Sequence, residues 1–197
     1  MYAKVMRKVD LVFNDETIRS FLDKFRYAIC AFFLVLLLPQ IQASLLLPGF
    51  LVSLFGESIQ ILSFGSLNKN RTLATRGLYS LTRNPMYIGR FFLLLGGLLL
   101  IGRMWIIPVF TVLYYFYMIN RVKREETNLR EIFGEGYESY CCQVNRFVPS
   151  FNGFNWKSLW YFRWNLLVQN HGHWNFAGVL SIYLLFYVFT FAKMGIQ

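Results

Sequence analysis

The sequence predicts an all-helical integral membrane protein with about five spans, and three observations carry that prediction. Of its 197 residues, 56% are hydrophobic and 19% aromatic, and mean hydropathy is +0.41. An ordinary soluble domain is roughly 45–50% apolar. The apolar residues also fall in runs that approach the ~20 residues a self-satisfied helix needs to cross the bilayer core. Finally, Lys and Arg collect in alternate connections, the asymmetry that orients helical membrane proteins.

The elements follow in order. The stretch "NDETIRSFLDKF" reads as an interfacial helix with Asn14 or Asp15 as N-cap and Ile18, Phe21, Leu22 and Phe25 on one face. With the residues before it, this stretch is polar and mixed in charge for too long to be a removable signal. Span one is expected at about 27–41 and span two at about 45–65, joined by the turn "LPQIQAS". Spans three (about 87–101) and four (about 105–120) are separated only by "GRM", which makes them an antiparallel hairpin. Pro48 and Pro108 stand near the starts of spans two and four, where a missing N–H costs little. The fifth span is "FAGVLSIYLLFYVFTFAKMG". The chain reads as one membrane domain, 1–197, with an N-terminal segment (1–26), a core (45–150) and an interfacial segment plus extra span (151–197).

Basic residues lie before span one, between spans two and three, and after span four. The two alternate connections hold only Arg103. All basic loops can therefore face the cytoplasm together, with the N-terminus inside. The formal charge of +10 is then topology and attraction to anionic membrane lipids, and no basic stripe with base-reading architecture suggests nucleic acid. Three cysteines, two of them adjacent at Cys141 and Cys142, give no disulfide framework.

Two polar segments on the expected cytoplasmic side can carry chemistry. The first is "SLNKNRTLATRGLYSLTRNPMYIG". Pro85 forces Asn84 out of the helical region, so "TRNP" is a bend presenting Arg83 and Asn84 where span three begins. Gly77 and Gly89 remove side chains where backbone has to approach a ligand closely. The second is "INRVKREETNLREIFGEGYESYCCQVNRFVPSF". If span four continues as a helix, Arg121 and Glu125 share a face, and the helix ends at Gly134 or Gly136. A cation and a carboxylate at a membrane edge suit a charged ligand. Glu57 and Gln60 lie a turn apart in span two, and a carboxylate at membrane depth is a site candidate. His171 and His173, spaced as "HGH" without an acid or Cys partner, make a poor metal site. Beside Trp160, Trp164 and Trp174 they read as an aromatic belt. The rings of span four read as packing residues.

Together the two segments resemble the isoprenylcysteine carboxyl methyltransferase and phospholipid methyltransferase family of membrane enzymes. The first family motif, L-x-x-x-G-x-Y-x-x-x-R-[HN]-P-x-Y-x-G, is met by Leu73, Gly77, Tyr79, Arg83, Asn84, Pro85, Tyr87 and Gly89. The second is met by Glu125 and Glu126, then Phe133, Gly134, Tyr137 and Tyr140, then Arg146, Phe147 and Pro149. The resemblance covers about residues 45–150. It implies a methyltransferase using S-adenosylmethionine, with S-adenosylhomocysteine as product, bound beneath the hairpin on the cytoplasmic side. Carried over by position, the cofactor would contact Thr72, Leu73, Ala74, Gly77, Tyr79, Asn84, Pro85, Met86, Tyr87, Glu125 and Glu126. Arg121 would face a small or lipid-like acceptor, methylated at O, S or N, with isoprenylcysteine or phospholipid as examples. Eukaryotic isoprenylcysteine enzymes have His where this chain has Asn84. The R-N-P form is similar to bacterial members and implies a bacterial inner membrane. The different-class alternative is a non-catalytic membrane sensor or subunit that keeps the fold.

Overall fold

The computed structural model describes residues 15–69, 71–151 and 156–195. The basic N-terminal stretch and Asn14 lie outside the described residues. Those described form helices α1 (Glu16–Leu37), α2 (Leu46–Phe64), α3 (Pro85–Leu99), α4 (Ile106–Phe133), α5 (Glu135–Gln143), α6 (Trp156–Leu159), α7 (Trp164–Gln169) and α8 (Gly172–Gly195), and no strand occurs among them.

Two helical segments, Ala43–Phe64 and Gly172–Lys193, are long and apolar enough to cross a membrane, and Ala31–Gln40 and Pro85–Leu99 are shorter apolar helices. Large apolar side chains such as Leu51, Phe55, Val112, Leu113 and Leu184 face outward, as suits a lipid surround. The expected interfacial helix and span one are not separate, because no Gly or Pro interrupts Glu16–Leu37 and α1 runs through. Asp15 does cap it: its Oδ1 accepts the Thr17 N–H at 2.8 Å. Phe21 and Phe25 pack at 4.7 Å between ring centroids.

The tightest packing is α2 against α3. Glycines spaced seven residues apart on each helix, Gly49 and Gly56 facing Gly96 and Gly89, let the backbones touch. A Cβ at Gly56 would collide with the Gly89 carbonyl, and one at Gly96 with the Gly49 carbonyl. Small residues at such a seam are how apolar helices associate where the hydrophobic effect offers nothing. Ser53 Oγ adds a 2.8 Å bond to the Leu93 carbonyl. On another face of α2 lies α8, tied by the Tyr183 hydroxyl donating to the Gly49 carbonyl at 2.9 Å. At one end of the bundle Ile41, Leu100 and Phe186 cluster with Leu34, Leu37 and Leu46. Gln42 N–H closes that end on the Leu100 carbonyl at 3.0 Å.

The α3–α4 hairpin forms as expected. Gly102, at φ 71°, turns the chain, and Phe91 stacks on Phe110 at 5.5 Å and packs against Tyr114 at 5.4 Å. α4 then continues unbroken past the apolar run to Phe133 and stops at Gly134, whose φ of 50° only glycine adopts readily. The polar segments thus gather at one end, where α2 finishes, α3 begins and α4 emerges.

Candidate active site

At that end, Tyr87 on the first turn of α3 donates from its hydroxyl to Glu125 Oε1 at 2.7 Å. The Arg121 Nε lies 3.4 Å from the same oxygen, one turn earlier on α4. The helical spacing foreseen for Arg121 and Glu125 therefore holds. Both side chains are about half exposed, 47% and 45%, so the carboxylate is open to a cationic ligand. Burial lowers the Arg121 pKa, but the Tyr87 hydroxyl and the Glu125 carboxylate outweigh it and hold the guanidinium above its ordinary value. The Tyr114 hydroxyl donates to the Tyr87 carbonyl at 2.7 Å and fixes the start of α3 against α4. Arg90 lies 5.5 Å over the Tyr87 ring. Tyr79 belongs to the same corner: burial, then the charge of Glu125, pushes its hydroxyl up, so it stays a neutral phenol.

A recess of about 410 Å³ opens here, lined by Arg121, Arg124, Glu125, Thr127 and Asn128. Beside it, toward the apolar part of the hairpin, Ile88, Phe91, Thr111, Tyr114, Met118 and Phe147 are among the residues lining a groove of about 180 Å³. Tyr114, Met118, Arg121 and Glu125 stand at i, i+4, i+7 and i+11, one face of α4 running from apolar groove to polar corner. Tyr114 packs against Phe91 and Phe110, as expected for the rings of span four; its hydroxyl contact to the start of α3 is what spacing did not reveal.

Glu126 goes elsewhere. It is 2% exposed, where Arg146 holds it through paired contacts and Arg83 Nη1 lies 3.4 Å away. The Glu126 bond is the main reason Arg146 is held above its ordinary pKa. The Arg83 Nη1 also donates to Cys141 Sγ at 2.6 Å. Neighbours on a helix point about 100° apart, so consecutive glutamates turn to different surroundings. Here one faces the recess and the other is locked inside.

Several motif residues belong to the same lock. Asn84 is buried, and its Nδ2 donates to the Arg146 carbonyl at 3.2 Å, joined by Thr82 Oγ1 at 3.1 Å. The backbones pair between Arg83 N–H and the Asn145 carbonyl at 2.9 Å and between Ser150 N–H and the Leu81 carbonyl at 2.7 Å. The Tyr140 hydroxyl donates to the Tyr79 carbonyl at 2.6 Å. Burial pushes that phenol up and keeps it a donor. Leu73 packs on Tyr137, Tyr140 and Val144. Pro85 is buried, Met86 and Ala74 are half-buried, and Thr72 is exposed. The close approach at Gly77 and Gly89 is of chain to chain: a Cβ at Gly77, φ 66°, would strike Ser66 Oγ, and one at Gly89 the Gly56 carbonyl.

Glu57 is fully buried in α2 and accepts the Gln60 Nε2–H at 3.2 Å, while its Oε1 has no hydrogen-bond partner among the described residues. His171, at φ 58°, turns the chain between α7 and α8, and His173 packs on Trp174 at 5.4 Å.

Fold and site together define a helical protein of membrane character whose polar corner joins a carboxylate, a phenol and a guanidinium at the foot of a hairpin. Residues 50–136 match the family model described as phospholipid methyltransferase. Among curated proteins, the chain is 31% identical over 94 residues to the protein-S-isoprenylcysteine O-methyltransferase of Schizosaccharomyces pombe, covering 48% of this chain and 40% of that one. The enzymes of the same name from Tribolium castaneum and Xenopus laevis are 28% and 29% identical, over 54% and 53% of this chain and 42% and 41% of theirs. The chain thus spans about two-fifths of the length of these relatives. No solved structure matches. Through residues 50–136 the chain is similar to the phospholipid methyltransferase family, the same resemblance its two motifs carry.

Proposed function

We propose that the protein is an S-adenosylmethionine-dependent methyltransferase embedded in the membrane, with five spans, the N-terminus and the polar corner on the cytoplasmic side, and a lipid-like acceptor. The reading rests on one observation: Tyr87, Glu125 and Arg121 meet at the foot of the α3–α4 hairpin, inside the segment shared with the family.

The corner suits such a cofactor chemically. Glu125 offers a half-exposed carboxylate that an ammonium or sulfonium can share, and Tyr79 and Tyr87, both buried, back that corner from the protein side. When bound, S-adenosylmethionine supplies an electrophilic methyl group. The chain's own residues have mainly to align and to exclude water. Tyr87 fixes the carboxylate by its hydrogen bond, and Tyr114 fixes Tyr87. Arg121 presents a guanidinium that can hold an anionic acceptor as a paired hydrogen bonder. The apolar groove beside Met118 and Tyr114 accepts a hydrophobic portion of that acceptor.

The test is transfer of labelled methyl from S-adenosylmethionine to a prenylated cysteine carboxylate, a prenyl thiol and phosphatidylethanolamine by protein in nanodiscs. Transfer to one of them, lost in Glu125→Ala, supports the reading. Cofactor binding without transfer to any acceptor would point instead to a non-catalytic sensor.

A further inference from the structure

Beyond the family core, the segment from α6 to the start of α8 has two unlike sides. Its inner side is fastened to the end of α2 that carries the site loop. The Arg163 N–H donates to the Gly65 carbonyl at 2.9 Å, and Ser66 Oγ donates to the Tyr161 carbonyl at 2.9 Å. Asn170 Nδ2 reaches the Phe64 and Leu67 carbonyls at 3.0 and 2.7 Å. Gly65 leaves room for the Phe162 ring, and Arg76 lies 5.4 Å over the Tyr161 ring. Leu166 and Leu167 are buried beneath.

The outer side is a set of large indoles: Trp156, Trp160, Trp164 and Trp174 are 66%, 76%, 72% and 68% exposed. Four large indoles this exposed in one short segment mark a surface that meets something other than bulk water. An indole has an apolar body and one N–H donor, which fits the boundary between headgroup and acyl chain. Two features choose the occupant. The segment runs directly into α8, a helix long and apolar enough to cross a membrane, so its outer face meets a bilayer at the level where that helix enters. The chain also carries no Asp or Glu after Glu138, while Lys157 and Arg163 lie among the indoles. A surface with cations and no acids in its own segment is complementary to anionic headgroups.

We propose that the outer face of residues 156–174 is an interfacial platform that binds the anionic headgroup layer of the leaflet and holds the Gly65–Gly77 side of the site at that depth. The test uses Trp105→Phe protein, so that the four platform indoles supply the emission. It is reconstituted in phosphatidylcholine vesicles with and without phosphatidylglycerol, using lipids brominated near the glycerol or near the chain end. Shallow bromines are expected to quench more than deep ones and aqueous iodide to quench little. Phosphatidylglycerol should increase the shallow quenching, and Arg163→Gln should abolish that increase. Strong iodide quenching without shallow bromine quenching would put the face in water and overturn the proposal. Protection from both quenchers that disappears on diluting the protein in lipid would mean that a second copy covers the face, which also overturns it. Equal quenching with and without phosphatidylglycerol would remove the anionic preference. No step depends on methyl transfer, so the result stands apart from the proposed function.

Discussion

Tyr87 and Glu125, on the two arms of the α3–α4 hairpin, share a 2.7 Å hydrogen bond from phenol to carboxylate. That bond sets the direction of a carboxylate otherwise half open to solvent. Because the carboxylate is half exposed, water competes for it, and the bond contributes to folding only at the low end, about 0.5 kcal/mol. Tyr87→Phe keeps the ring and loses the bond. It is expected to weaken S-adenosylhomocysteine binding by roughly tenfold or more, read by calorimetry, with an unchanged melting temperature in detergent.

The neighbouring glutamates are expected to respond oppositely. Glu126→Ala leaves Arg83 and Arg146 without their buried partner, a loss of the kind that costs about 3–5 kcal/mol. Thermal unfolding should therefore shift markedly downward. Glu125 belongs to a half-exposed pair worth about 0–1 kcal/mol. Glu125→Ala should melt nearly as wild type while losing the cofactor. Equal thermal effects from the two would contradict the division drawn between lock and corner.

The α2–α3 seam makes a separate forecast. Gly56→Ala or Gly89→Ala places a methyl against a facing backbone carbonyl, and overpacking of this kind costs about 1–3 kcal/mol. Gly97 lies in the same helix with nothing within 4 Å of its would-be Cβ. Gly97→Ala should be neutral or stabilise by up to about 1 kcal/mol through helix propensity. Denaturation in mixed micelles distinguishes the three.

The proposed role of Arg121 is to hold the acceptor. Arg121→Ala is expected to lower kcat/KM for an acidic acceptor by roughly 10- to 100-fold, the loss of a charge-assisted contact, with little change in cofactor affinity. Arg121→Lys should recover only part, because an ammonium lacks the planar fork. The check is steady-state kinetics beside calorimetry on the same preparations.

Much of this architecture was readable from residue spacing. The four-residue step from Arg121 to Glu125, the stop at Gly134 and the short link between spans three and four each rest on local rules, and each holds. What spacing alone did not give was pairing between distant segments. Nothing local tells that Arg146 turns back onto Glu126, or that Asn84 spends its amide on the Arg146 carbonyl. The seven-residue glycine steps in α2 and α3 are visible singly, yet their meeting depends on the register of two helices. The joining of the first helix to span one shows the reverse error: a change of polarity was taken as a boundary where the backbone had no breaker.

The measurement that bears most directly on the site is calorimetric titration of S-adenosylhomocysteine into detergent-purified wild-type protein and Glu125→Ala, with melting curves for both. Binding by wild type and its loss in a variant that melts as wild type is the expected result. Undiminished binding by Glu125→Ala, or no binding by well-folded wild type, would contradict the placement of the cofactor at the Tyr87–Glu125 corner.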